Sequence, residues 1–174
     1  MVRMVSDTKV EEWLDARGLS VDPRTLVPRR SEVTLSLDIP AESGRRTNLA
    51  RLLADLFRSQ SEGLLWITEF GIWPSSEHRP IFAALRHAAG VDLPLEDSPG
   101  HFFSSDDSDL VVSLIAVALY FSWGAILVRG DLGLIASVSH DDWIDITGTP
   151  ESLRQVRQAL LRHRYLGEDE VGAD

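Results

Sequence analysis

The chain contains no cysteine. That absence excludes disulfide staples, thiolate nucleophiles, redox dithiols and every zinc site built on sulfur. The 174 residues do not need such staples, because a chain of this length buries about 70% of its unfolded surface on folding. Lysine is almost missing too. Lys9 is the only one among 17 basic residues, a bias that points to GC-rich bacterial coding and carries no mechanism. Nor does the chain hold a phosphate-binding P-loop, a dinucleotide GxGxxG, an HExxH, a GxSxG elbow or an EF-hand loop. The clearest signatures of NTPases, dinucleotide enzymes, zincins, esterases and calcium sensors are therefore lacking. Constellations assembled from distant residues remain open.

Long apolar runs are scarce. The segment Met1-Val2-Arg3-Met4-Val5-Ser6-Asp7 turns acidic before a signal-type apolar region forms, so a cytoplasmic location is expected. Only residues 110–128 approach the roughly 20 residues that cross a bilayer. That run follows Asp106-Asp107-Ser108-Asp109, and Trp123-Gly124 divides it, which predicts a buried helix followed by a buried strand and no membrane partner.

Positive charge is short in one half. Residues 1–95 hold 12 Lys and Arg against 13 Asp and Glu, whereas residues 96–174 hold 5 against 14, within a formal net charge of −10. Such a field repels phosphate backbones and argues against nucleic acid as a partner. It attracts a basic protein or peptide instead.

What is present predicts a single α+β domain over residues 1–166 with an acidic tail at 167–174. Thr8-Lys9-Val10-Glu11 reads as a capping box for a short first helix that Gly18 ends, and residues 18–30 read as an extended connection. Alternation over 32–39 (Val33, Leu35, Leu37 and Ile39 against Glu32, Thr34, Ser36 and Asp38) predicts a half-buried strand. An amphipathic helix over 44–60 and an apolar strand at 64–67 follow, and strand, helix, strand suggests a parallel pair. Ser75 or Ser76 opens the next helix, with Ile81, Phe82, Leu85 and Ala89 as its buried face. Residues 91–105 show no period. Strands at 125–128, 134–138 and 143–146 form an antiparallel meander, with the glycines of the 129–133 turn supplying positive backbone angles. Thr149-Pro150 opens a last helix buried through Leu153, Val156, Leu160 and Leu161. The sum is one mixed sheet of about five strands with helices packed on it.

Three stretches carry candidate chemistry. In the first, Phe102 and Phe103 beside His101 lie within a ring of carboxylates that includes Glu96, Asp97, Asp106 and Asp107, a composition suited to gripping a cationic partner. The plainer account has a phenylalanine packing as a staple while the aspartates, capped by Ser105, complement the dipole of the following helix. In the second, His140 with Asp141, Asp142 and Asp145 offers donors for a divalent cation, and adding His101 suggests a metal-assisted hydrolase. Adjacent turn residues rarely converge on one ion, however, so no metal or cofactor is assigned. In the third, Glu69, Trp73, Ser76 and His78 lie beyond the carboxyl end of the 64–67 strand, where open sheets hold small ligands.

The leading expectation is a noncatalytic binding protein whose acidic C-terminal half engages a basic partner, in the manner of a small inhibitor or immunity protein. The first alternative is a small-ligand binder or hydrolase using Glu69, Trp73, Ser76, His78, His101, His140 and Asp141 at one end of the sheet. The second is a subunit that dimerises through the strand at 32–39 as a sheet edge.

Overall fold

Seven strands, not five, make one open and wholly antiparallel sheet flanked by five helices in a computed structural model that describes residues 2–19, 33–72 and 77–166. In chain order the elements are β1 (Arg3–Val5), α1 (Asp7–Asp15), β2 (Val33–Asp38), α2 (Ser43–Leu56), β3 (Gly63–Glu69) and α3 (His78–Ala88). They continue with β4 (Gly100–Phe103), α4 (Ser108–Tyr120), β5 (Gly124–Val128), β6 (Leu134–Val138), β7 (Trp143–Gly148) and α5 (Pro150–Arg162). The strand order is β1-β4-β3-β5-β6-β7-β2.

The predicted meander is present as β5, β6 and β7. The predicted parallel pair is not. β3 is flanked on both sides by antiparallel neighbours, β4 and β5, while β2 closes the far edge against β7, with Leu35 opposite Ile146 and Leu37 opposite Ile144. The two short strands that periodicity misses, β1 and β4, pair with each other through Met4 and His101. β4 falls inside the stretch expected to be a loop, and it is buried at all four positions because the sheet has neighbours there on both sides and both faces.

The sheet buries one face under α2, α3, α4 and α5. Leu49, Leu53 and Phe57 of the α2 segment meet Leu114, Ile115 and Leu119 of α4 above Leu65, Leu127 and Ile144. α4 carries the first part of the 110–128 run and β5 the last. Ser122, at φ 50°, turns the chain between them, and no helix among the described residues is long and apolar enough to cross a membrane. On the opposite face α1 sets Val10, Trp13 and Leu14 over Leu64, Trp66 and Phe102. A Cβ on Gly100 would strike the Val5 and Val10 side chains, so this glycine permits the close approach of α1 to β4.

Capping differs from expectation at two of the predicted sites, and the backbone of one hairpin differs as well. Ser6, not Thr8, precedes α1, and Lys9 pairs with Glu12 instead of a Thr8–Glu11 box forming. Before α4 the cap is Ser104 rather than Ser105. The Ser104 amide and hydroxyl both donate to Asp107 Oδ2, at 2.9 and 2.8 Å, across a 3-10 turn at Ser105–Asp107. In the β5–β6 hairpin the positive φ belongs to Leu132 (60°) and not to a glycine. Gly130 serves packing there, since a Cβ would collide with the Ser61 carbonyl. Thr149 caps α5 as read, its hydroxyl oxygen accepting from the Ser152 amide at 3.2 Å. The predicted tail at 167–174 lies outside the described residues.

Candidate functional site

Helical spacing sets His78, Phe82 and Arg86 on one stripe of α3, four residues apart, and all three face the sheet. Ile81, read as part of the buried face, is instead 44% exposed. The stripe is unusual because two of its three members are polar. Phe82 lies at its centre, edge-on to His101 of β4 at 5.7 Å and against Trp123 at 5.1 Å. His78 packs edge-on against Trp123 at 5.5 Å and Phe121 at 5.8 Å, where α4 turns into β5.

Among the described residues, the buried polar side-chain atoms without a partner are Trp13 Nε1 on the α1 side and, in this corner, His78 Nδ1, His101 Nε2, Trp123 Nε1 and both Nε and Nη1 of Arg86. Such atoms are costly in a folded interior and mark places where something beyond packing is at work. The His101 Nδ1 lies 3.2 Å from the Leu65 carbonyl, which can only accept, so Nδ1 carries the proton and Nε2 is bare. Burial, reinforced by the charge of Arg86 and opposed by the Leu65 and Pro99 carbonyls, brings the His101 pKa down to about 3. His101 is therefore a neutral wall at physiological pH.

Arg86 is 1% exposed. Its Nη2 donates to Ser98 Oγ, which donates in turn to the Pro94 carbonyl at 3.0 Å. Burial lowers the guanidinium pKa and the charge of Glu96 opposes that shift; an arginine side chain keeps its positive charge in proteins. Arg86 lines a cavity of about 420 Å³ between α3 and residues 91–96, whose walls are mainly Phe70, Phe82, Ala83, Val91, Leu93 and Leu95. At the rim Arg79 pairs with Glu96 at 2.9 Å, and His87 Nδ1 lies 2.5 Å from Asp92 Oδ1. Arg79 also lies over the Phe70 ring, 5.6 Å from its centroid.

The residues singled out from sequence distribute over several places. Glu69 and His140 do meet, with Oε2 2.7 Å from Nδ1 and Asp141 3.6 Å from Nε2, where the end of β3 faces the β6–β7 turn. A Cβ on Gly124 would press into Glu69, so that glycine leaves room for the pair. His101 does not join them. It faces the core opposite Leu65, four residues and about 13 Å back along β3. His78 belongs to the α3 corner, and Trp73 and Ser76 lie outside the described residues. Among the described residues no three His, Asp or Glu side chains are grouped to hold a metal ion.

The aromatic centre expected of the acidic stretch is buried. Phe102 turns to the α1 side against Trp13, at 5.4 Å, and Phe103 to the main core, because successive strand residues alternate faces. Of the carboxylates, Asp97 and Asp106 are exposed, Glu96 closes on Arg79, and Asp107 is occupied by Ser104. Sequence reasoning missed Arg86. The signal was available as the four-residue spacing from His78 through Phe82, but a search for apolar stripes passes over an arginine. Neither a family model, nor a curated protein, nor a solved structure matches the chain.

Proposed function

We propose that this is a noncatalytic protein that holds a small ligand, apolar along its body and polar at one end, in the cavity beneath α3. The observation that carries this reading is the cavity itself, about 420 Å³ and mainly apolar, with the buried Arg86 among the residues that line it. Largely apolar pockets with one or two convergent polar groups are the usual form of small-molecule sites. The titratable groups of the rim are paired with one another, and neutral His101 stands behind Phe82, so the arrangement supports capture more than proton transfer. This departs from the expectation that the acidic stretch grips a partner through Phe102 and Phe103, both of which are spent on the core.

Ala83 is exposed on the cavity wall, so Ala83→Trp fills the space without overpacking the interior. In a thermal-shift screen of small amphiphiles, a ligand at a hundredfold excess over its Kd adds about 2.7 kcal/mol, which raises Tm by about 5–10 °C in a chain of this size. The wild type should respond and Ala83→Trp should not. Equal responses in the two, or none in either, would reject the cavity as the site.

A second reading is favoured by the other sheet face. Beyond α1 the strands β7 and β2 contain no Lys or Arg, and Asp145 accepts from Ser36 at 2.5 Å beside Asp38 and Trp143, the last 38% exposed. A basic protein or peptide suits that surface by charge. Its capture should weaken steeply with added salt and be lost in Asp38→Lys/Asp145→Lys; a salt-independent complex would dismiss this reading.

A further inference from the structure

We propose that a basic partner joins the sheet itself: an extended segment with lysine or arginine at alternate positions pairs along the open edge of β2 as an added antiparallel strand. This rests on the second reading above, that the acidic face attracts a basic protein or peptide, and adds to it how that partner is held. β2 ends the strand order, and among the described residues its one neighbour is β7. The Ile39 amide donates to the Asp142 carbonyl at 2.7 Å, in register with the pairing of β2 and β7. Bonded and non-bonded pairs alternate along an antiparallel ladder, so Leu35 and Leu37 also bond to β7, whereas the N–H and C=O groups of Thr34, Ser36 and Asp38 point away from it. The side chains agree, because non-bonded pairs lie closer: Thr34 Oγ1 is 3.3 Å from Thr147 Oγ1, and Ser36 donates to Asp145 at 2.5 Å. Among the described residues no strand takes up the outward groups, and such an edge is a template for main-chain recognition.

Residues opposite one another on neighbouring strands share a face, so partner residues opposite Thr34, Ser36 and Asp38 stand on the face of Asp38, Asp145 and Trp143. Asp38 is exposed in the edge strand itself. Asp145 and the indole of Trp143 lie one strand further in, within reach of a long basic side chain. A groove of about 530 Å³ opens here, lined by Leu37 from one face of β2 and by Ser36 and Asp38 from the other, so the open space wraps around the edge. Charge chooses the occupant. A second copy would set another Asp38 and Asp145 alongside the first, in a chain of net charge −10, and like charges side by side oppose that pairing. The opposite edge, β1, has three residues and carries Arg3, paired with Glu62 at 2.7 Å, so it offers neither the length nor the charge.

Fluorescence anisotropy of labelled synthetic peptides, titrated with the full chain at low salt, tests the pairing. The probe alternates lysine and threonine over seven residues. Its controls are a block isomer of the same composition and two forms N-methylated either at the lysines or at the threonines. The alternating peptide should bind at least about tenfold more tightly than the block isomer. In antiparallel pairing the lysine amides face β2, so methylating them should weaken binding by about tenfold or more, the equivalent of one or two main-chain hydrogen bonds, while methylating the threonines leaves it nearly unchanged. Ser36→Pro deletes an outward amide without changing the charge or the bonds to β7, and it should lower affinity as much. The peptide comparison on the wild type stands even if this variant folds poorly. Equal, salt-sensitive affinities for all four peptides overturn the added strand and leave a basic partner held by charge alone. No binding of any peptide overturns the added strand, and if polylysine also fails to bind, the basic-partner reading falls with it. A dimer that forms without peptide and is lost in Ser36→Pro overturns the proposal in favour of a second copy on the same edge.

Discussion

Beneath α2 and α4 the sheet is sealed by Leu49, Leu53, Leu114, Ile115 and Leu119, none of which has a polar group to satisfy. A short distance away, beneath α3, the same face meets His78, Arg86, His101 and Trp123, each with a buried polar atom that lacks a partner among the described residues. The first is organised by close packing, which is what stability requires. The second retains groups that an apolar side chain of similar size would replace at a gain, which is the mark of a region kept for something other than stability.

Acid should separate the two regions most strongly. The folded-state pKa of His101 is about 3 against 6.5 for the free side chain, so between those values the unfolded chain binds a proton that the folded chain does not. Stability therefore falls as pH drops from about 6.5 toward 3, by on the order of 4 kcal/mol over the whole interval, and the contribution is complete above about 6.5. His101→Gln keeps a donor for the Leu65 carbonyl but cannot titrate. The difference in unfolding free energy between wild type and this variant, measured in denaturant from pH 7 to pH 4, should shift steadily in favour of the variant. A difference that is flat with pH would show that His101 is charged or solvated in the folded protein.

The contrast between the regions also marks what a single sequence reveals. The apolar run at 134–138 and the Thr149-Pro150 start of α5 are local signals, and both elements form where they were read. Strand order is not local. Ser36 finds Asp145 across 109 residues, and nothing within residues 32–39 announces that partner, so a parallel pair with the next strand looked natural. β1 is too short, at three residues, to show a period, and β4 is apolar toward both faces because α1 covers one and α3 the other. The Glu69 and His140 pairing was readable as two residues at one end of the sheet. Arg86 was legible in its spacing from His78 and Phe82 but not in its burial, which depends on Ser98 and residues 91–96 folding back over α3, a tertiary fact that overrides the expectation that charge faces water.

Two substitutions test the comparison through stability alone. Leu114→Ala in the sealed region removes a side chain with no exposure, and it should cost about 3 kcal/mol, since neighbours on α2 and the sheet cannot collapse into the space. Arg86→Met is the converse. It removes a buried cation and its unpartnered N–H groups while keeping most of the volume, and Ser98 retains its bond to the Pro94 carbonyl. Replacing a poorly compensated buried charge by a well-packed apolar side chain is neutral to stabilising, here by about 1 kcal/mol, in place of the several kcal/mol that losing an arginine of a satisfied network costs. The same change withdraws a positive charge from His101, so its pKa rises toward 6.5 and the acid-dependent loss becomes shallower. Chemical denaturation at pH 7 and pH 4.5 reads both effects. A variant less stable than wild type by 2 kcal/mol or more at pH 7 would place Arg86 among the groups that hold the fold, and the polar corner under α3 would then be structural after all.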